Sequence, residues 1–246
     1  MKRFENQAAL ITGASVGIGR ATAHRLAEQG AQLALVDFNE ETLMRLKEEL
    51  SPYGDSILYF VGDVSDENRT RAIVAEAERI FGKIDILVNN AALWRDASLF
   101  METDTSLWRR YLEINVMGTV YYTQAVLGGM VARGYGRIVN VASVAGVYGN
   151  RKMVHYSATK GAVISMTKAL AKEVADKGVT VNAVSPGTVS PAAQADMDYV
   201  QSSEVNFTGR TGSGRENADL ICFLASREAG YINGQNIQID GCRRML

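Results

Sequence analysis

Short apolar segments alternate with longer segments of helical periodicity along most of the chain, and this alternation restricts the possible fold more than any other feature. The segments Ala8–Thr12 (AALIT) and Gln32–Asp37 (QLALVD) are nearly continuous in apolar residues, as in strands that helices cover on both faces. The other predicted strands are Ile57–Gly62, Ile84–Asn89, Arg137–Ala142, Thr180–Ser185 and Asn236–Asp240. This alternation predicts an α/β fold with a doubly wound, parallel, seven-stranded sheet and helices on both of its faces.

Helical patterns fill the intervals between these strands. Gly30 ends the first predicted helix, Ile18–Gln29, and Asp66 can cap the helix that continues to about Phe81. The remaining predicted helices are Glu40–Leu50, Thr105–Arg133, Met153–Lys177 and Arg215–Ala225. Since no linker, repeat or low-complexity tract interrupts the sequence, we expect a single domain over residues 1–246.

The segment 186–214 departs from this regularity. It contains two prolines, several small residues and three glycines near its end. Because long irregular loops in compact domains are usually functional, we expect this segment to form a lid over a binding site.

The composition argues against several classes of function. A net charge of -1 favours neither nucleic acid nor an anionic membrane as a partner, and no apolar run approaches the ~18 residues of a membrane span. The N-terminus lacks the long apolar region of a secretory signal. Two distant cysteines, Cys222 and Cys242, and only two histidines leave little for a metal site. We therefore expect a reduced cytoplasmic protein without a metal.

A glycine-rich sequence, TGASVGIG (Thr12–Gly19), leaves the first predicted strand and enters the first helix. Gly13, Gly17 and Gly19 would let the backbone turn tightly and approach a pyrophosphate at the helix N-terminus. The alternative is a tight strand–helix turn without a ligand. Its place in the first βα unit favours a dinucleotide site.

Asp37 ends the second predicted strand, 18 positions beyond Gly19. A carboxylate at this place can accept hydrogen bonds from the adenosine ribose hydroxyls, and it would repel a 2′-phosphate. Neither Val16 nor Phe38 supplies a positive charge to offset that repulsion. The sequence therefore favours NAD over NADP.

The stretch HYSATKGA places Tyr156 and Lys160 four residues apart, on one face of a predicted helix. A tyrosine titrates near ~10 in water, and a neighbouring ammonium group favours its phenolate. Ser143 follows the fifth predicted strand, where its hydroxyl can hold a substrate oxygen. His155 faces about 100° away from Tyr156, so we do not expect it to take part.

Together with NNAA (Asn89–Ala92) and Asn115, these motifs resemble the short-chain dehydrogenase/reductase family. The resemblance extends from TGASVGIG to YINGQNIQIDG and looks closest to the 3-oxoacyl-carrier-protein reductase-like branch. It implies a Rossmann-type fold, a nicotinamide cofactor and a homotetramer that assembles partly through the helices at Thr105–Arg133 and Met153–Lys177.

The resemblance also implies a role for each matching position. The catalytic tetrad falls on Asn115, Ser143, Tyr156 and Lys160, where Asn115 would hold a proton-carrying water and Lys160 would also bind the nicotinamide ribose. Besides Asp37, Tyr156 and Lys160, the resemblance implies that the dinucleotide is bound in four places. The pyrophosphate falls on Gly13, Ser15, Gly17, Ile18 and Gly19, the adenine on Asp63 and Val64, the wall beside the ribose on Asn89 and Ala91, and the nicotinamide carboxamide on Pro186, Gly187 and Val189. Two positions depart from the family pattern: Ala92 replaces a frequent glycine, and Pro191 replaces a threonine.

Residues near these motifs are candidates for the substrate pocket or, alternatively, for ordinary surface loops. Besides Ser143 they are Trp94, Tyr148, Asn150 and Arg151. The leading hypothesis is an NAD(H)-dependent enzyme that interconverts a secondary alcohol and a ketone. The alternatives are a reductase of 3-oxoacyl thioesters of a carrier protein or coenzyme A, and a cofactor-sensing protein without turnover.

Overall fold

A seven-stranded parallel sheet forms the centre of the computed structural model, which describes residues 2–190 and 196–244. The strand order is β3-β2-β1-β4-β5-β6-β7. The strands are β1 (Ala8–Thr12), β2 (Gln32–Asp37), β3 (Ile57–Val61), β4 (Ile86–Asn89), β5 (Gly136–Val141), β6 (Val179–Pro186) and β7 (Asn236–Ile239). The predicted parallel seven-stranded sheet is confirmed.

The chain reverses its direction of travel across the sheet at β1, which pairs with β2 on one side and with β4 on the other. In open parallel sheets, a crevice opens at the carboxyl ends of the strands where the order reverses. The loop after β1 and the loop after β4 therefore border the place where a ligand can enter.

Helices cover both faces of the sheet. They are α1 (Gly17–Glu28), α2 (Glu40–Leu50), α3 (Glu67–Phe81), α4 (Thr105–Leu112), α5 (Gly118–Arg133), α6 (Ala145–Tyr148), α7 (Val154–Val174) and α8 (Gly214–Ala225). Short 3-10 turns at Ser51–Tyr53, Phe100–Glu102 and Ala175–Lys177 add to them. Among the described residues, no helix is long and apolar enough to cross a membrane.

Alternate residues of each strand supply two separate cores. Ile11 of β1 packs with α1, α2 and α8, whereas its neighbour Leu10 packs with α3, α5 and α7 on the opposite face. Both side chains are fully buried. Burial of each such side chain contributes about 1.5–3 kcal/mol to the free energy of folding. Because both faces of the sheet are buried, apolar residues are favoured at successive positions, and the strands are continuous apolar runs in the sequence.

Side chains at the helix starts fix several boundaries. The Asp66 carboxylate accepts a hydrogen bond from the Arg69 amide, which confirms Asp66 as the predicted N-cap of α3. At α8, Ser213 and Glu216 form a reciprocal capping box. Each such cap satisfies amides that the helix itself cannot, typically for about 1 kcal/mol.

The continuous helix predicted over Thr105–Arg133 is wrong in one respect. A π-helical turn, Glu113–Met117, separates α4 from α5. This turn directs Asn115 inward, where its side chain bonds to the backbone of Leu93. Polar bonding of this kind competes with regular helical hydrogen bonds, and the periodicity of apolar residues cannot predict it.

Beyond β6 the chain runs irregularly through the described parts of the segment 186–214. Isolated bridges join Val189 to Gly212 and Ser202 to Arg210. Pro191, where the family pattern has threonine, lies outside the described residues.

Candidate active site

The glycine-rich loop between β1 and α1 is as tight as its sequence predicts. Gly13 and Gly17 have φ angles of 60° and 55°, a region that favours glycine. A Cβ atom on Gly19 would lie only 2.0 Å from the Gly13 carbonyl oxygen. Since Ser15 and Ile18 lie within this loop, its amides and the start of α1 form a cradle that suits a pyrophosphate.

A neighbouring loop closes against this cradle through Asn90. The Asn90 amide nitrogen Nδ2 donates to the carbonyl oxygens of Thr12 and Gly13, at 3.1 and 2.8 Å. The Thr12 hydroxyl accepts from the backbone amides of Asn90 and Ala91, at 3.1 Å each. Neither Asn90 nor Thr12 was predicted to have a role. For Asn90, the doubled asparagine of NNAA was an available signal.

Asp37 lies at the carboxyl end of β2 beside the glycine loop. Its Oδ2 accepts from the Ser15 amide at 3.0 Å, and its Oδ1 accepts from the Asn39 amide at 3.1 Å. The carboxylate is thus fixed in direction and 5% exposed as a residue. Within residues 2–190 and 196–244, no lysine or arginine forms an ion pair with Asp37. A fixed carboxylate therefore stands at the end of β2, where the sequence predicts contact with the adenosine ribose.

The residues that follow β3 border the same side. The Asp63 carboxylate accepts from the Ser65 amide and hydroxyl, at 2.9 and 2.7 Å, and Asp63 itself is exposed. Val64 is buried, and a Cβ atom on Gly118 would approach its Cγ2 to 2.8 Å. Gly118 thus lets the start of α5 pack closely against the predicted adenine side.

The side chain of Asn89, predicted beside the ribose, is held between the sheet and α5. Its Nδ2 donates to Thr123 Oγ1 at 3.1 Å and to Asn140 Oδ1 at 2.9 Å. Asn140 in turn donates to Thr167 at 2.9 Å. The side chain links β4 to α5 and β5, whereas the backbone of Ala91 remains beside the glycine loop.

Tyr156, Lys160 and Ser143 come together where the carboxyl end of β5 meets α7. Lys160 is buried, and its Nζ donates to the Val141 carbonyl at 2.7 Å and lies 5.9 Å from the centroid of the Tyr156 ring. Burial lowers the pKa of Lys160 to about 8. The same effect raises the pKa of Tyr156, while the neighbouring Ser143 hydroxyl lowers it.

Asn115 is buried in the π-helical turn and joins three elements. Its Oδ1 accepts from the Leu93 amide at 2.7 Å, and its Nδ2 donates to the Leu93 carbonyl at 3.0 Å. The same Nδ2 donates to Thr159 Oγ1, at 3.1 Å, on the residue before Lys160. Asn115 thus fixes the loop after β4 against α7, and its role as a water holder stays a prediction.

His155 lies away from the reacting groups. It is buried, and its ring meets Tyr111 edge to face at 4.3 Å and Trp108 at 6.1 Å. Tyr111, which sequence reasoning missed, donates from its hydroxyl to the Asp96 carboxylate at 3.0 Å. Burial raises the pKa of Tyr111 to about 12, so it stays a hydrogen-bond donor.

The predicted substrate-lining residues lie in two loops that touch each other. Trp94 follows β4, whereas Tyr148 ends α6 and Asn150 and Arg151 lie between α6 and α7. The Ser98 amide of the first loop donates to the Lys152 carbonyl of the second at 2.9 Å. Trp94 and Tyr148 are about half exposed, at 49% and 45%, so both have apolar surface available for a ligand.

The segment predicted to hold the nicotinamide carboxamide begins at the end of β6. Pro186 accepts from the Val144 amide at 3.1 Å, next to Ser143, and Gly187 donates to the Ile239 carbonyl at 3.0 Å. A Cβ atom on Gly187 would lie 2.7 Å from Asp240. Val189 continues this segment toward Gly212.

Comparisons with known proteins agree on one family. The model of the short chain dehydrogenase family matches residues 7–201. A 3-oxoacyl-(acyl-carrier-protein) reductase of Thermotoga maritima is 38% identical over 242 residues, which cover 97% of this chain and 98% of that protein. A 3beta-hydroxysteroid dehydrogenase of Eggerthella lenta is 35% identical over 243 residues, which cover 96% and 94%.

Solved structures extend the same comparison. An NAD+-bound xylitol dehydrogenase is similar with a TM-score of 0.88 and 32% identity, over 98% of this chain and 100% of that one. A levodione reductase has a TM-score of 0.89 and 34% identity, over 97% and 98%.

Proposed function

The chain belongs to the short chain dehydrogenase family of oxidoreductases, and from this premise we propose that it interconverts a secondary alcohol and a ketone with NAD(H). The arrangement of Tyr156, Lys160 and Ser143 beside the glycine-rich cradle is the observation that carries this proposal. Within the described part of the chain, no carboxylate pairs with the buried Lys160 ammonium. Such a charge is costly for a fold to keep, and its proximity to a tyrosine gives it a chemical use.

In this proposal Tyr156 moves the proton and a bound nicotinamide supplies or accepts the hydride. During ketone reduction the Tyr156 hydroxyl donates its proton to the carbonyl oxygen, and during alcohol oxidation the phenolate takes it back. The Lys160 ammonium stabilises that phenolate, and Ser143 holds the substrate oxygen. Acid–base help of this kind is typically worth about 10²–10⁴ in rate.

NAD is the cofactor that we propose, because of Asp37. Its fixed carboxylate can accept hydrogen bonds from ribose hydroxyls and would face a 2′-phosphate with a like charge. The structural relative solved with bound NAD+, xylitol dehydrogenase, supports the same choice. The positive φ angles of Gly13 and Gly17 and the close packing at Gly13 and Gly19 hold the loop in the tight turn that this cradle requires.

Reduction of a 3-oxoacyl thioester is the second candidate, and the reductase relatives favour it. Docking of an acidic carrier protein would need a basic surface. Arg133 and Lys177, two cations at helix ends, instead direct their nitrogens to the carbonyls of Ile84 and Glu173. Two cations at helix ends are common on any surface and do not by themselves form a basic docking patch, so we rank this candidate second.

A protein that only senses the cofactor is the third candidate, from another functional class. Such a protein has no need to keep the full set Asn115, Ser143, Tyr156 and Lys160, and this chain has all four. We therefore rank sensing last.

We further propose that residues 1–246 act as one cytoplasmic domain with a substrate lid at 186–214, in a homotetramer. Exposed apolar side chains around α4 support an interface there, with Phe100 at 62% and Met101 at 93% exposed. Static light scattering measures the assembly directly, and a monomer would contradict it.

A substrate panel combined with Tyr156→Phe tests the function. Wild-type protein with NAD(H) should turn over some secondary alcohols and ketones, followed by absorbance of the nicotinamide. The Phe variant should lose at least about 100-fold in rate because it has no proton to move. Its affinity for NADH, read by energy transfer from tryptophan, should stay within about 3-fold. Unchanged turnover in the variant would remove Tyr156 as the acid/base.

A further inference from the structure

Arg243, near the C-terminal end of the chain, lies between the lid segment and the catalytic side of the protein. It follows β7, and its backbone forms a bridge with Asn206 of the lid segment. Its guanidinium Nη2 donates to Asn150 Oδ1 at 3.4 Å. Arg243 therefore joins two segments that are not neighbours in the sequence.

Asn150 connects Arg243 to the helix that carries Tyr156. The Asn150 amide donates to Ser157 Oγ at 3.0 Å, and Ser157 is the residue after Tyr156. The guanidinium thus lies one intervening side chain away from the first turn of α7. Asn150 is itself one of the residues predicted to line the substrate pocket, so the guanidinium contacts that predicted lining directly.

The guanidinium is half-buried and has no counter-ion among residues 2–190 and 196–244. Its single hydrogen bond, at 3.4 Å, is at the long limit of such bonds. The nearby Asp240 carboxylate instead accepts from the Cys242 amide at 3.0 Å. A partly desolvated positive charge with one weak partner costs free energy, and an anionic ligand would offset that cost.

Other cations around the same loops also lack carboxylate partners within the described residues. They are Arg95, Arg151, Lys152 and Arg244. Two of them lie over aromatic rings instead, Arg95 on Trp94 at 5.5 Å and Arg244 on Phe207 at 5.1 Å. With Arg243, five cations without a carboxylate partner among the described residues therefore lie on these segments, although the whole chain has a net charge of -1.

We propose that Arg243 binds an anionic group of the substrate, so that the preferred alcohol or ketone carries a carboxylate or a phosphate. This inference rests on the proposed function, since it names the substrate class of the same site. The planar fork of arginine matches both groups through two parallel hydrogen bonds, which a lysine cannot reproduce. Arg243 is then a specificity residue, whereas Tyr156 and Lys160 act on any bound ketone.

Matched substrates test this proposal without knowledge of the natural one. The probes are 3-oxobutanoate, 4-oxopentanoate and 5-oxohexanoate, each against its neutral methyl ester, and dihydroxyacetone phosphate against dihydroxyacetone. Three chain lengths allow for the spacing between the reacting carbon and the guanidinium. With NADH, kcat/KM for at least one anion should exceed that for its neutral partner by about 10- to 100-fold, as expected of a charge-assisted pair.

Variants assign the preference to its residue. Arg243→Met should remove the preference while kcat/KM for the neutral partner and the Kd for NADH stay unchanged. Arg243→Lys should restore part of it. Arg79→Met is the control, because Arg79 is exposed on α3 and its one ion-pair partner among the described residues is Glu76. If Arg243→Met does not fold, the preference for the anionic probes is compared between the wild-type protein and Arg243→Lys, in which it should be smaller.

Several results would overturn the proposal. These are equal kcat/KM for all anionic and neutral partners, a preference that persists in Arg243→Met, and a smaller assembly in light scattering of that variant. The last result would assign Arg243 to a contact between copies of the chain. If no probe or alcohol is turned over, the proposed function fails. Calorimetric titration of the wild-type–NADH complex and its Arg243→Met variant with the anionic probes then tests Arg243 alone, and absent or equal binding overturns its assignment.

Discussion

Replacement of Gly19 by alanine tests whether the glycine-rich loop is the dinucleotide cradle. The added Cβ would lie 2.0 Å from the Gly13 carbonyl oxygen and 2.6 Å from Asn90 Nδ2. Real Cβ atoms keep about 3.0 Å or more from such atoms, so the loop must move by about 1 Å. Since the obstacle is backbone, no side-chain rotation can relieve it.

The same movement separates groups that are now bonded. Asn90 Nδ2 donates to the carbonyls of Thr12 and Gly13, and both bonds would lengthen or break. At about 1 kcal/mol for each bond, and more where a buried group is left unpaired, we expect a loss of about 2–4 kcal/mol in the free energy of unfolding. For a chain of this size that corresponds to a fall of about 5–15 °C in Tm.

Gly128→Ala is the matched control. Gly128 lies within α5, and a Cβ atom there would meet nothing within 4 Å. Alanine at a helix interior should stabilise by up to about 1 kcal/mol. Thermal unfolding should therefore show a lower Tm for Gly19→Ala and a higher Tm for Gly128→Ala, although both variants carry the same chemical change.

Cofactor titration completes this test. NADH binding, measured by energy transfer from tryptophan, should weaken at least about 10-fold in Gly19→Ala and stay unchanged in Gly128→Ala, because only the first change displaces amides of the cradle. An alanine variant at position 19 with wild-type stability and wild-type NADH affinity would refute the close packing and the cradle together.

Two further predictions concern charge. Asp37→Asn should move the ratio of NADPH to NADH affinity at least about 10-fold toward NADPH, because it removes the like charge at a 2′-phosphate. Titrations with both cofactors measure this ratio. Glu41→Gln, on the exposed face of α2, is the control. An unchanged ratio would withdraw the role given to Asp37. Ketone reduction should be level below about pH 8 and decline above it, because the Lys160 ammonium, whose pKa burial lowers to about 8, loses its proton there. A pH profile of kcat/KM that rises steadily to pH 9.5 would contradict this assignment.

Apolar periodicity predicted the sheet well because parallel strands are buried on both faces. β1, β2 and α2 have the predicted bounds, and the other strands differ by one or two residues at one or both ends. The difference at β4 has a visible cause. Asp85 belongs to the predicted run but lies before β4, where its carboxylate accepts from the Ala8 amide at 3.1 Å.

The site was less predictable because much of it depends on contacts between distant residues. The spacing of Tyr156 and Lys160 indicates a shared helix face, and helix geometry guarantees it. Nothing local indicates that Asn115 bonds to Leu93, or that Arg243 reaches Asn150, 93 positions away in the sequence. Such bonds depend on how β4, α7 and the C-terminal segment pack, which a single sequence does not specify.

The π-helical turn at Glu113–Met117 has a consequence for how the protein can vary. One extra residue in that turn offsets the helical phase of α4 from that of α5. Trp108 and Tyr111 of α4 face His155 of α7, whereas Tyr122 and Val126 of α5 face the sheet. Because the two faces are set independently, α4 can acquire new contacts to a substrate or to another copy of the chain while α5 keeps its place on the sheet.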